Sequence, residues 1–420
     1  MSSLFERKDE VQQSAFRSWK VKNMKSTIIA GTGVGKTRIM LLCAQHLLSR
    51  YTEQEKLEKE FYFISPLADL EKQIRDEAKK WNMADDILPY VSFHTIQKAR
   101  TFSNRQIEGV FIDEVHMTLA NDLDSSARKF YLNNEIRFIA AFTATWPENE
   151  EYGKFLSKLA PKSYDLSFED AKDGDIVADY LLFKIPVTLL PGEKATITQA
   201  NYMYNKCQFD LLGEISPSEM FTAAGSILKN GGTSDERKIA SMYFNSIRKR
   251  KAVINNAENK HVGTVEAIKL LSSGKDKSRF LTFNGSITLA NELTRRINRE
   301  LKKEAIRTKA YHSKLGSKAR FDILDNFKTK RHITGLNTVE AANAGLDVPD
   351  LEYIVMNGIT SKALPMIQRI GRAARWVEGK KAKAILFYVK DSQEEKWMKN
   401  ATKSFESIRI DSVSQIKDHL

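Results

Sequence analysis

The chain has 420 residues, of which 42% are hydrophobic and 28% are charged, and its formal net charge is +13. This composition excludes wholesale disorder, and the length suffices for two or three domains. No apolar run is long enough to span a bilayer, and no apolar signal core follows the N-terminus. Two cysteines in unrelated contexts, Cys43 and Cys207, favour neither a disulfide framework nor a metal site. We expect a cytoplasmic globular protein with no membrane contact, whose basic charge attracts polyanions such as nucleic acid.

Short apolar runs alternate with helix-like sequence through the first part of the chain. The predicted strands there are residues 26–30, 61–65, 91–93, 109–112 and 137–142. A glycine-rich turn follows the first of them and leads into a predicted helix over residues 37–49. Short runs of this kind, separated by helices, are typical of a parallel sheet covered on both faces. We assign residues 1–160 to an α/β domain.

The same alternation returns in the last third of the chain. The predicted strands there are residues 279–283, 305–311, 332–336, 353–356 and 384–389, with predicted helices at 287–303 and 317–328. We therefore assign residues 276–420 to a second α/β domain that ends in a helix.

The middle of the chain differs in character. Residues 161–194 are assigned to a linker and to the strand that leads into the second domain. Residues 195–275 are polar and predict a helical insertion. Its basic run from Arg248 to Lys251 is either a solvated helix face or a DNA contact.

The stretch AGTGVGKT, from Ala30 to Thr37, follows a predicted strand and opens a predicted helix, as a phosphate-binding loop does. Small residues allow backbone N–H groups to approach phosphates. Lys36 can reach the β- and γ-phosphates, and Thr37 offers a hydroxyl to Mg²⁺. The predicted nucleotide-binding residues of the loop are Gly31, Thr32, Gly33, Val34, Gly35, Lys36 and Thr37.

The stretch DEVH, from Asp113 to His116, ends a predicted apolar strand, so two carboxylates lie at the carboxyl edge of the sheet near the phosphate loop. Asp113 suits Mg²⁺ coordination through water. Glu114 suits orientation and deprotonation of an attacking water molecule. His116, Thr143 and Thr145 are candidates for coupling the nucleotide site to the second domain, although His116 has a structural role as its alternative.

Near the end of the chain, QRIGRAAR runs from Gln368 to Arg375. Arg372 and Arg375 are three residues apart and share one face of a predicted helix. Two arginines on one face can stabilise the charge of a transferring phosphoryl group, whereas the alternative is a basic surface patch. We count Gln368, Arg372 and Arg375 with Lys36 and Glu114 as candidate catalytic residues.

These motifs, in this order, resemble those of the DExH-type helicases and translocases of superfamily 2 over nearly the whole chain. The resemblance implies two tandem RecA-like domains that bind ATP and Mg²⁺ between them, with Arg372 and Arg375 reaching the phosphates on closure. Gln12 resembles the adenine-reading glutamine of these proteins. AGLDVPD resembles motif V, which implies nucleotide and backbone contacts for Gly345 and Asp347.

Other stretches resemble the motifs of these helicases that contact nucleic acid, namely ISPLADLEKQ, FHTIQ, FLTFNGSITLANEL and the segment from Tyr311. The residues predicted to contact DNA are Pro66, Gln73, Thr95, Gln97, Asn284, His312 and Thr338. Contacts to the phosphate backbone carry little sequence information. We therefore expect sequence-independent, salt-sensitive binding to single-stranded or branched DNA.

The compact size and the segment AENKHVGTVEAIKLL resemble the phage branch-migration helicases of the UvsW type. This implies remodelling of forks, D-loops and Holliday junctions in the host cytoplasm, alongside replication and recombination proteins. The alternatives are a superfamily 2 RNA helicase, the motor subunit of a restriction enzyme, and a non-motor nucleic-acid-binding protein. DEVH and HTIQ favour DNA over RNA. Phe209, Tyr243 and Phe244 are candidates for a strand-separating wedge, with core packing as their alternative.

Overall fold

The structure is a computed structural model that describes residues 4–31, 33–66, 69–119, 126–147, 149–176, 179–212, 216–272, 279–330, 332–339, 351–359, 369–370, 381–403 and 405–420. The chain forms two compact units. The main division between the two units falls between Leu181 and Leu182. The first unit lies mostly before this point and the second mostly after it. Each unit is an α/β domain of the RecA-like kind, and a helical segment lies between them in the chain, as the sequence predicts.

The first unit is built on a six-stranded parallel sheet. Its strands are β1 (Lys25–Ala30), β2 (Glu60–Ser65), β3 (Ser92–Thr95), β4 (Gln106–Ile112), β5 (Glu135–Thr143) and β6 (Lys162–Leu166). They are ordered β3-β2-β4-β5-β1-β6, and each neighbouring pair is parallel. The central strands are almost wholly buried, because helices cover the sheet.

Nine helices accompany these strands among the described residues, of which α1 precedes β1 and α9 follows β6. They are α1 (Leu4–Val21), α2 (Lys36–Leu48), α3 (Glu53–Glu58), α4 (Asp69–Lys80), α5 (Ala84–Ile87), α6 (Ile96–Ala99), α7 (Ser126–Leu132), α8 (Glu150–Leu159) and α9 (Phe168–Asp173). Helix α1 packs against α2 and β1, and its Trp19 is buried, with Nε1 donating to the Ile139 carbonyl at 2.8 Å. The first helix therefore belongs to the core of the unit.

The helical segment follows strand β7 (Tyr180–Val187) and begins with α10 (Pro191–Leu212), α11 (Pro217–Asn230) and α12 (Ser234–Asn255). These helices enclose a small core of their own, formed by Cys207, Met220, Ala224, Ala240 and Tyr243. Tyr243 is therefore a core residue, and Phe244 is half-buried, whereas Phe209 is 77% exposed. Of the three candidate wedge residues, Phe209 alone is largely exposed.

The two ends of α10–α12 meet at the second unit. The Glu258 backbone N–H donates to Glu193 Oε1 at 2.9 Å, and Asn259 Nδ2 donates to the Thr188 carbonyl at 2.7 Å. Glu193 lies in the first turn of α10, whereas Glu258 opens the next helix, α13 (Glu258–Ser272). The chain thus leaves the sheet-containing part of the second unit after β7 and returns to it at a neighbouring point.

The second unit contains a seven-stranded sheet, ordered β13-β7-β12-β11-β8-β10-β9. Its strands after β7 are β8 (Arg279–Phe283), β9 (Thr308–Tyr311), β10 (Gly335–Thr338), β11 (Leu351–Met356), β12 (Ala382–Val389) and β13 (Ile408–Arg409). Strand β10 pairs in parallel with both β8 and β9. Its later helices are α14 (Ile287–Glu300), α15 (Ser317–Asp325), which continues into a π-helical turn at Asn326–Lys330, and α16 (Gln393–Ala401).

The ten strands predicted in the two domains are all present, with ends that shift by up to three residues. Strands β6 and β13 and helix α1 were not predicted. None of the helices in the described ranges combines the length and apolar character that a bilayer crossing requires.

Candidate active site

The carboxyl edge of the first sheet gathers the predicted nucleotide-site residues. The phosphate loop follows β1, the Asp113–Glu114 pair follows β4, and Thr143 ends β5. Strands β4, β5 and β1 are neighbours in the sheet, so these three segments leave it side by side. Ligands of parallel α/β sheets bind at this edge, where the strands end and the loops begin.

The phosphate loop depends on two glycines with left-handed backbones. Gly33 and Gly35 both have φ 97°, a conformation that other residues rarely adopt. A Cβ on Gly35 would also lie 2.3 Å from Gln12 Nε2, so there is no room for a side chain. Because α2 begins at Lys36, directly after this turn, its first N–H groups and the loop amides form the kind of cradle that suits phosphate.

Lys36 and Glu114 form an ion pair at this edge. The Lys36 Nζ lies 3.3 Å from Glu114 Oε1, and the two side chains are 13% and 11% exposed. Glu114 has φ 51° and precedes a short 3₁₀ helix, Val115–Thr118. The turn after β4 thus brings the carboxylate suited to activate water within reach of the ammonium suited to bind phosphate.

A chain of contacts runs from this pair to the end of β5. His116 Nδ1 lies 3.4 Å from Glu114 Oε2 and 3.0 Å from Thr143 Oγ1. Thr143 Oγ1 in turn donates to the Thr145 carbonyl at 2.8 Å. Since that bond uses the only hydroxyl proton of Thr143, His116 Nδ1 must be the donor to Thr143. Thr143 therefore contacts both of the other predicted coupling residues, and His116 contacts the predicted catalytic base.

The predicted metal ligands are Thr37 and Asp113. Thr37 lies in the first turn of α2, and the Asp113 carboxylate accepts the Glu114 backbone N–H at 3.0 Å. No group of three or more metal-ligating side chains occurs among the residues that the structure describes. This donor set fits Mg²⁺, which takes one or two protein oxygens and completes its shell with substrate phosphates and water. When bound there, the ion would neutralise charge on the phosphates.

Helix α1 fixes the phosphate loop from the other side. Gln12 is buried, and its Nε2 donates to the Val34 carbonyl at 2.7 Å, while Arg38 Nη1 donates to its Oε1 at 2.6 Å. Lys8 Nζ donates to the Gly33 carbonyl at 3.1 Å. The structure thus places Gln12 beside the loop, and its reading of adenine stays a prediction.

Sequence reasoning missed the roles of Lys8 and Arg38. Arg38 also lies 3.9 Å above the Trp81 ring, which links the start of α2 to the end of α4. The signal for Arg38 was its position directly after Thr37, at the start of the helix. Lys8 gave no signal, because its contact depends on how α1 packs.

The predicted nucleic-acid contacts of the first unit lie around the ends of β2 and β3. Pro66 directly follows β2 and is buried, whereas Gln97 on α6 is exposed. Thr95 ends β3, and its Oγ1 accepts the Lys98 backbone N–H at 3.3 Å as the N-cap of α6. Gln73 is half-buried on α4. Of these four, Gln97 alone is exposed, and direct contact with DNA stays a prediction for all of them.

The predicted contacts of the second unit lie at the ends of β8, β9 and β10. Asn284 and Thr338 are buried: Asn284 Nδ2 lies 3.2 Å from the Thr338 carbonyl, and Thr338 Oγ1 donates to the Thr282 carbonyl at 2.8 Å. His312 is also buried, and burial together with nearby Lys314 lowers its pKa. These side chains hold strand ends together, and direct DNA contact stays a prediction for them.

The remaining predicted site residues lie outside the described residues. They are Thr32, Gly345, Asp347, Gln368, Arg372 and Arg375.

Two domain families match the chain. The family described as "Type III restriction enzyme, res subunit" matches residues 7–148, and the family described as "Helicase conserved C-terminal domain" matches residues 260–377. The first match contains the phosphate loop, the Asp113–Glu114 pair and Thr143. The second begins at Lys260 and includes the QRIGRAAR stretch.

Individual proteins show the same likeness. The pre-mRNA-splicing ATP-dependent RNA helicase PRP28 of Lodderomyces elongisporus is 25% identical over 361 residues, which are 83% of this chain and 55% of that protein. This chain therefore spans about half the length of that curated relative.

Solved helicase structures share the fold at lower identity. S. cerevisiae Dbp5 bound to RNA and ADP BeF3 has a TM-score of 0.62 at 15% identity, over 97% of this chain and 91% of Dbp5. The Pyrococcus furiosus Hef helicase domain has a TM-score of 0.56 at 16% identity, over 93% of this chain and 98% of that domain. At these identities the likeness establishes the fold alone.

The fold and the site define a RecA-like nucleotide-binding protein with two α/β domains. A domain matched by the restriction-enzyme res-subunit family, followed by a domain matched by the helicase C-terminal family, gives this chain the domain pair of the superfamily 2 helicases.

Proposed function

We propose that this protein is an ATP-dependent DNA helicase or translocase that unwinds or remodels branched DNA, such as forks, D-loops and Holliday junctions. The observation that carries the proposal is the chain of contacts from Lys36 through Glu114 and His116 to Thr143. It links the phosphate-binding group of Lys36 and the candidate base Glu114 to Thr143, at the end of β5. Binding of the nucleotide phosphates does not itself require a contact with Thr143. A site that only stored nucleotide would not require such a link.

In this proposal each residue has a distinct task. The loop amides and Lys36 hold the β- and γ-phosphates, and Thr37 and Asp113 hold Mg²⁺. Glu114 orients and deprotonates the attacking water, while Arg372 and Arg375 stabilise charge on the transferring phosphoryl group. His116, which contacts Glu114 and is hydrogen-bonded to Thr143, transmits the change at the phosphates to the segments that bind nucleic acid.

The choice of DNA rests on the domain match and the charge. The unit that contains the site matches the family described as "Type III restriction enzyme, res subunit". A net charge of +13 favours a polyanionic partner, and contacts to the phosphate backbone favour sequence-independent binding. The resemblance to branch-migration helicases supports forks and junctions as substrates and replication and recombination proteins as partners.

RNA is the second candidate substrate. PRP28 is named as an RNA helicase, and the similar Dbp5 structure contains RNA. The assignment of an ATP-driven motor is the same for both nucleic acids, because the phosphate loop and the Asp113–Glu114 pair do not distinguish DNA from RNA.

Steady-state ATP hydrolysis against a nucleic-acid panel tests the proposal. The panel contains no nucleic acid, single-stranded DNA, duplex DNA, a fork, a four-way junction and single-stranded RNA. We expect forks or junctions to stimulate most strongly. Strongest stimulation by RNA would overturn the choice of DNA, and no turnover under any condition would favour the non-motor alternative.

Thr143→Val tests the link itself. The substitution keeps the volume of the side chain and removes the hydroxyl that bonds His116 and Thr145. We expect ATP turnover within about threefold of wild type and a loss of unwinding of about tenfold or more, because one energetic link is removed rather than the site. Equal losses of hydrolysis and unwinding would contradict a coupling role. Thr196→Val, at an exposed position on α10, is the control.

A further inference from the structure

Four neighbouring strands of the second unit are joined at their carboxyl ends by a buried polar network. Strands β12, β11, β8 and β10 lie side by side in that order. The network contains one residue at or after the end of each strand, together with two residues of α13 and one of α16. Its members are Val389, Asn357, Asn284, Thr338, Lys260, Thr264 and Glu394.

The centre of the network is an ion pair without solvent access. Lys260 Nζ lies 2.6 Å from Glu394 Oε1, and the two side chains are 0% and 1% exposed. The same ammonium donates to the Asn357 carbonyl at 3.0 Å, and Glu394 Oε2 accepts the Val389 backbone N–H at 2.8 Å. The pair therefore ties the end of β12 to the end of β11.

The network then crosses to β8 and β10. The Asn357 backbone N–H donates to the Phe283 carbonyl at 2.8 Å, and Asn357 Nδ2 donates to Asn284 Oδ1 at 3.1 Å. The Asn284 backbone N–H donates to the Thr338 carbonyl at 2.9 Å. Thr264 Oγ1, one turn after Lys260 on α13, shares its one proton between the Lys260 carbonyl at 2.7 Å and Asn357 Oδ1 at 2.9 Å. The oxygen and the nitrogen of the Asn357 side-chain amide are thus both held by contacts to neighbouring side chains.

A buried ion pair is poor evidence for stability, because removing two charges from water costs about as much as their attraction returns. Apolar residues of similar volume often stabilise such a site at least as well, so the feature that distinguishes the pair is the set of strand ends that it contacts. Two of the positions that it orients, Asn284 and Thr338, lie in segments predicted to grip nucleic acid. Gly285 packs against Asn255, the last residue of α12, since a Cβ on Gly285 would lie 2.5 Å from Asn255 Nδ2.

We infer that Lys260 and Glu394 are positioning residues, which set the strand ends of the second unit for nucleic-acid binding and connect them to the helical segment. The inference rests on the proposed function, since it assigns a role within the same nucleic-acid grip. It requires no direct contact between the ion pair and nucleic acid. Its consequence is that removal of the ion pair weakens affinity for nucleic acid in protein that is still folded.

The test is a double substitution, Lys260→Met with Glu394→Met, which removes both charges and nearly preserves volume. Thr264→Val removes one hydroxyl that directs Asn357 and keeps the ion pair. Ser272→Ala is the matched control, because Ser272 lies on the same helix and bonds Tyr353 within β11, away from the network. The measurements are thermal unfolding, binding of a fluorescein-labelled oligo(dT) by anisotropy, and the oligo(dT) concentration that half-saturates ATPase stimulation.

We expect the double variant to stay folded, with a lowered unfolding temperature because the buried Val389 N–H and Asn357 carbonyl lose these partners. We expect it to bind oligo(dT) about fivefold or more weakly, with the maximal ATPase rate changed by less than about twofold. Thr264→Val should weaken binding in the same direction, and Ser272→Ala should leave it unchanged. If the double variant fails to fold, Thr264→Val decides. Wild-type binding by the folded variants would overturn the inference alone. A wild-type protein that neither binds oligo(dT) nor is stimulated by it would instead contradict the proposed function.

Discussion

Glu114 adopts a left-handed backbone conformation, with φ 51°, at the point where β4 ends. Such a conformation costs a residue with a side chain about 1 kcal/mol or more, so the neighbouring structure has to maintain it. The ion pair with Lys36 and the contact with His116 supply two of the interactions that do so. This strained turn directs the Glu114 carboxylate towards Lys36 of the phosphate loop.

Lys36→Ala should abolish ATP hydrolysis while preserving the fold. Lys36 is only partly exposed, and its ammonium is the group in the loop suited to hold the β- and γ-phosphates. We expect a fall in kcat/KM of about a hundredfold or more, measured by phosphate release, with little change in thermal unfolding. Lys158→Ala, an exposed lysine on α8, is the control. Retained turnover would refute the assignment of the phosphate loop.

Two glycine substitutions should change stability in opposite directions. Gly35→Ala places a Cβ at φ 97° and 2.3 Å from Gln12 Nε2, so we expect a loss of about 1–3 kcal/mol in the free energy of unfolding. Gly225→Ala adds a Cβ within α11 where no atom lies within 4 Å, so we expect a gain of about 0.5–1 kcal/mol. Urea denaturation measures both. Equal effects would show that the loop does not require glycine.

At the scale of elements, sequence patterns predict what depends on local periodicity. Strands β2, β4 and β5 carry continuous apolar runs, and their burial follows from those runs. Strand β6, with the sequence KSYDL, is an edge strand with no buried residue, so its sequence carries no such run. Helix α1 escaped prediction because most of its residues are polar, although Trp19 anchors it in the core.

The candidate site also contains residues that the sequence predicts and contacts that it does not. The sequence alone predicts the loop glycines, Lys36 and Glu114, because their chemistry requires a fixed order along the chain. The contact between Lys8 and Gly33, and the pair between Lys260 and Glu394, join residues 25 and 134 positions apart. No local spacing encodes such contacts, because tertiary packing alone brings these residues together.

Helix α13 carries a histidine that should make stability depend on pH. Burial lowers the pKa of His261, an effect that nearby Glu258 opposes. The folded protein therefore resists protonation at a pH where the unfolded chain accepts it, so stability should fall as pH drops below about 6.5. His261→Phe should reduce this dependence in urea denaturation between pH 7 and 5 without abolishing it, because burial also lowers the pKa of His46, His94 and His312. His332→Phe, at an exposed position, should leave it unchanged, and an unaltered slope in His261→Phe would contradict the prediction.

At the scale of the whole molecule, the net charge of +13 should govern binding to nucleic acid. Each phosphate contact to a single strand contributes about −0.7 to the slope of log affinity against log salt, so about four contacts give a slope near −3. Anisotropy titrations of a labelled oligonucleotide at salt concentrations from about 50 to about 200 mM measure this slope. A second oligonucleotide of different sequence should give the same curve. A flat salt response or a strong sequence preference would contradict backbone recognition.

The meeting of the two ends of α10–α12 has a consequence for how this protein can change over evolution. The bonds from Glu258 to Glu193 and from Asn259 to Thr188 hold the point of departure beside the point of return. A short linker could therefore span the gap, and the entropy of closing it depends only weakly on the length of chain between. The three helices, with their own small core, form a cassette that a single genetic event could remove, exchange or transplant while the sheet of the second unit keeps its register.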